Sequence, residues 1–71
     1  MAQTVNGKTV SFIKSRLNGS DAAAITALEL DHATKVDAEI VAVGSNPTTI
    51  QTNVFRSPHG AEEILTVLIW V

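Results

Sequence analysis

Seventy-one residues with seven acids, five bases and no cysteine make one small domain without disulfides, thiolate metal sites or a thiol nucleophile. A net charge of −2 and a charged fraction of 17% give the whole molecule no pull toward nucleic acid or an anionic membrane. The apolar fraction of 45% suits a folded chain, but a domain this short has a thin stability margin that a second subunit often widens.

The opening stretch, MAQTVNGKTV, has neither the basic region nor the apolar run of a secretory leader, which points to the cytoplasm. Within it, Asn6-Gly7 lies between two short β-prone pieces. Asn-Gly is the strongest two-residue hairpin signal, because both turn positions need positive φ. Residues 2–5 are therefore expected to fold back on the strand that starts near Lys8; a frayed terminus before a simple turn is the alternative.

Residues 8–17 alternate at the period of a strand. Val10 and Phe12 point one way, flanked by Lys8, Lys14 and Arg16, and Thr9, Ser11, Ile13, Ser15 and Leu17 point the other way. LNGSD then breaks the strand, and Ser20 or Asp21 can cap a helix by accepting its unpaired backbone N–H groups. The spacing predicts a helix over 22–35, with Ala24, Ile25, Leu28, His32 and Val36 on one side and Asp31 and Lys35 as an i,i+4 ion pair. Ala23, Ala27 and Leu30 lie on its back, where a second surface could meet them.

AEIVAV (38–43) reads as a short apolar strand and GSNP (44–47) as a turn. TTIQTNVFR (48–56) alternates, with Ile50, Thr52 and Val54 on one face and Thr49, Gln51, Asn53 and Phe55 on the other. SPHG (57–60) is a second turn, and 62–71 form the last strand. The expected fold is α+β: a single domain in β-α-β-β-β order, with a possible extra N-terminal hairpin strand. One helix packs on a mostly antiparallel sheet.

The last strand lacks alternation. Ile64, Thr66, Leu68 and Trp70 share one face, and Leu65, Val67, Ile69 and Val71 share the other. Apolar residues on both faces suit a central strand covered on both sides, yet one helix covers only one. Something else must cover the second face, or it stays exposed as an interaction patch. A two-fold dimer would bury it. Leu65, Val67, Ile69, Trp70 and Val71 are accordingly the candidate partner interface. Because a carboxylate cannot be buried unpaired, the strand is expected to surface at Val71, with Trp70 at a rim where a partner binds.

Groups able to do chemistry are sparse. His32 beside Asp31, and His59 before Glu62 and Glu63, lack the spacing of a metal set, and adjacent residues on a helix diverge. Glu62 and Glu63 fall on opposite faces of a strand. There is no G-x-S-x-G elbow and no phosphate loop. No catalytic residue, metal or cofactor is therefore expected, and no membrane span, since the apolar tail is far shorter than the roughly 20 residues a spanning helix needs.

These features predict a non-catalytic interaction protein that self-associates as a dimer or docks on a larger protein, as an adaptor, inhibitor or virion-associated protein does. One alternative is a nucleic-acid-binding accessory protein using Lys8, Phe12, Lys14 and Arg16, an aromatic flanked by cations; the net negative charge opposes it, and the bland reading of Phe12 is a core residue. Another is a small oligomeric enzyme with an interface site at His32, Asp31 or His59.

Overall fold

Two hairpins flank a single long helix. The computed structural model describes residues 2–19, 21–57 and 60–71. In chain order the elements are β1 (Ala2–Val5), β2 (Lys8–Asn18), α1 (Ala22–Val43), β3 (Thr49–Arg56) and β4 (Ala61–Trp70). The four strands form one antiparallel sheet in the order β1-β2-β4-β3.

The first hairpin closes where Asn-Gly requires it, with Asn6 at φ 51° and Gly7 at φ 77°. That geometry matches the right-handed twist of the flanking strands. It pairs β1 with β2 from Val5↔Lys8 to Ala2↔Ser11. The element order is therefore β-β-α-β-β, with one helix on one face of the sheet, and β4 is the central strand expected from its apolar faces.

The helix is longer than its first fourteen residues predict. Residues 38–43, expected as a strand, form its last turns. The apolar residues there continue the helical stripe that begins at Ala24: Val36, Ile40 and Val43 pack against Ile13, Leu68 and Trp70. This tertiary contact outweighs the modest β preference of Ile40, Val41 and Val43. Asp21, in extended conformation, caps the start by accepting from the Ala24 N–H at 3.1 Å. Gly44 ends the helix in the left-handed region, at φ 91°, and its N–H reaches the Ile40 carbonyl, a glycine C-cap. The predicted 44–47 turn thus joins a helix to a strand.

The inner face of the sheet lies under α1. Leu68 is fully buried there and clusters with Ile13 and Trp70, while Ile64 is buried further along β4. Trp70 donates from Nε1 to the Ser45 carbonyl at 2.9 Å, which pins the loop after α1 to the end of β4. The helix is displaced toward β2 and β4. Over β3, Ile50 and Val54 face the same side but remain 56% and 51% exposed. No helix among the described residues is long and apolar enough to cross a membrane.

Candidate protein interface

Among the described residues, none forms a second layer over the outer face of the sheet. Period-2 geometry sends alternate side chains there. The register places Val10, Phe12, Lys14 and Arg16 of β2 beside Ile69, Val67, Leu65 and Glu63 of β4. Beyond β4 lie Thr49, Gln51, Asn53 and Phe55 of β3. The middle of this surface is aliphatic: Val10 is buried by its neighbours, and Leu65, Val67 and Ile69 are half-buried. Phe12 stands in mid-strand opposite Val67 and Phe55 near the end of β3 opposite Glu63, 51% and 57% exposed. Lys14, in register with Leu65, reaches along the face so that its Nζ meets Glu63 Oε1 at 3.2 Å.

The residues singled out from the sequence divide between the faces. Leu65, Val67 and Ile69 sit together in the middle of the open face, and exposed Val71 follows the end of β4. Trp70 does not join them. Its parity puts it on the helix side, 9% exposed and hydrogen-bonded to Ser45; packing on α1 and the loop after it, rather than the sheet rim, decides its position. Lys8, Phe12, Lys14 and Arg16 share the open face as β2 alternates. Phe12 points away from the core, opposite to the bland expectation for the largest apolar side chain of that strand.

On the inner face, a chain of polar side chains runs beneath the helix. Ser15 Oγ and His32 Nδ1 are 2.8 Å apart, His32 Nε2 and Thr66 Oγ1 are 2.7 Å apart, and Thr66 Oγ1 and Thr52 Oγ1 are 3.0 Å apart. A neutral imidazole donates from one nitrogen and accepts at the other, and hydroxyls serve either role, so the whole chain can be satisfied. Helical spacing puts His32 on the packed stripe of α1 but carries no sign of these partners, which come from two strands far away in the chain. Ser15 is 4% exposed beneath the helix, closed to a substrate. Asp31 does not orient the imidazole; it pairs with Lys35 at 3.3 Å.

Burial lowers the pKa of His32 below its usual value, nearby Lys35 lowers it further, and Asp31 opposes both. The sign of the pH effect follows. A base whose folded pKa is depressed is protonated first in the unfolded chain, so the unfolded state binds more protons as pH falls through the ordinary value of about 6.5. Stability is then complete above that pH and declines below it until the folded pKa is reached. Urea unfolding at pH 7.5 and pH 5.5 should show the loss, and His32→Gln should remove most of the difference between the two.

Glu62 and Glu63 lie on opposite faces, as strand geometry requires. Glu62 is 2% exposed on the helix side, and Arg56 Nε donates to its Oε1 at 2.7 Å while Oε2 has no partner. His59, and with it the middle of the predicted 57–60 turn, lies outside the described residues. Among the described residues no three His, Asp or Glu side chains converge as metal ligands would. No family model, curated protein or solved structure matches this chain.

Proposed function

We propose that this is a non-catalytic cytoplasmic interaction protein that self-associates through the open face of its sheet. One observation carries the reading: Phe12, Leu65, Val67 and Ile69 form a continuous apolar surface beside buried Val10, and among the described residues no layer lies over it. A sheet with apolar residues on both faces is stable when both are covered. Strands of eight to eleven residues rise about 3.3 Å per residue and lie about 4.8 Å apart. The flat footprint is then on the order of 500 Å² per copy, and a pair buries roughly 1,000 Å² or more, the lower end for specific interfaces. Sheet-on-sheet packing about a two-fold axis places the aliphatic centre at the core and Lys8 and Arg16 toward the rim, the distribution that interfaces favour.

The exposure of Phe12 beside Lys8, Lys14 and Arg16 also supports the second reading, a single-stranded nucleic acid stacked on this face. Two features weigh against it. Lys14 is already paired with Glu63, and the middle of the surface is aliphatic rather than aromatic.

Val67→Lys separates the two. It adds charge to the centre of the face without touching the core, so the dimer dissociation constant should rise at least tenfold while the thermal midpoint of a dilute sample changes little. If nucleic acid is the ligand, the added cation strengthens binding instead, and that binding weakens steeply with salt.

A further inference from the structure

We infer that the notch between α1 and β3, on the opposite side of the sheet from the open face, is a docking site for a basic amphipathic α-helix of a partner protein. This inference rests on different residues from the self-association reading and stands or falls separately.

The notch is a groove of about 680 Å³. Leu30, Ala33 and Val36 of α1 form one wall, and Ile50, Val54 and Ile64 form the floor. Its origin is geometric. Four strands about 4.8 Å apart make a surface that two helices, packed 8–10 Å from axis to axis, would cover. This chain supplies one helix, displaced over β2 and β4. The position over β3 is left uncovered. Both sides of the vacancy are apolar and uncovered, with Leu30 72% exposed on the helix wall and Ile50 and Val54 more than half exposed on the floor. Helix-in-groove docking needs such an apolar trough.

Charge selects the occupant. Glu29 and Asp37 line the notch, and no lysine or arginine does. His32, at its base, is held toward the neutral form by burial. A helix lying there meets carboxylates along the α1 wall, so basic residues flanking its apolar stripe are favoured and acidic ones repelled. A second copy of this chain fits poorly, because α1 carries Glu29, Asp31, Asp37 and Glu39 against Lys35 alone.

The test is a titration of the ¹⁵N-labelled full chain with a synthetic helical peptide built of Leu and Lys, and with its Leu and Glu counterpart. The Leu/Lys peptide should saturably shift the amides of Ile50, Val54 and Ile64, and the Leu/Glu peptide should not bind. Val54→Lys, at an exposed edge-strand position, should weaken the Leu/Lys peptide at least tenfold, as should the Glu29→Gln, Asp37→Asn double variant. The proposal is overturned by equal binding of the two peptides, by shifts confined to Phe12 and Val67 on the open face, or by no binding. It also fails if Val54→Lys dissociates the protein's own dimer, since a second copy would then occupy the notch.

Discussion

Leu68→Ala should destabilise the fold by about 2–5 kcal/mol, the range for truncating a fully buried leucine that leaves a cavity behind. Leu68 has no exposed surface and sits on the central strand between Ile13 and the Val36 to Val43 end of α1. Small domains have only a few kcal/mol to lose, so much of the variant should be unfolded at 37 °C. Leu65→Ala is the informative control. Leu65 is three residues away on the same strand but faces outward and is half-buried, so in a dilute sample its loss should cost about 1 kcal/mol or less. Urea denaturation of the two variants measures the difference. Equal effects would mean that the two faces of β4 are not divided between core and interface.

Arg56→Ala should cost about 1–3 kcal/mol, more than an exposed ion pair usually contributes. Arg56 itself is largely solvated, but its partner Glu62 is 2% exposed, and among the described residues Arg56 is the cation that meets this carboxylate, at Oε1, while Oε2 has no partner. Removing the arginine leaves a buried charge with no counter-ion. Glu62→Gln placed in the same background should recover part of the loss, since a neutral amide is cheaper to bury. Lys35→Ala, which removes the exposed Asp31 pair, should change stability by about 0.5 kcal/mol or less. Chemical unfolding of the set distinguishes a buried requirement from surface decoration.

Much of this fold was legible because local chemistry and tertiary structure agree. Asn6-Gly7 specified a hairpin, the period-2 pattern of residues 8–17 sorted those side chains into two faces, and the lack of alternation in β4, apolar on both faces apart from Thr66, marked a central strand. The stripe from Ala24 to Val36 found the packed side of α1. The end of that helix was not legible, because AEIVAV is short, apolar and rich in β-branched residues, and only contacts with Ile13, Leu68 and Trp70 decide its state. Trp70 was misplaced for a related reason: its nearness to the last residue suggested a rim, whereas the loop after α1 folds over it. The Ser15–His32–Thr66–Thr52 chain could not be read at all, since it joins four elements, β2, α1, β4 and β3, that are separate in sequence. Parity divided β4 into two faces without telling which one the helix would leave open, and the notch over β3 was not readable, because both depend on where the helix settles on the sheet.

The central claim is that the chain is completed by a second copy covering its open sheet face. Sedimentation equilibrium on the unmodified protein at micromolar concentration tests it most directly. The predicted result is a mass of twice the 7.5 kDa chain that falls toward the monomer value in Val67→Lys. A stable, well-folded 7.5 kDa monomer across that concentration range would contradict it.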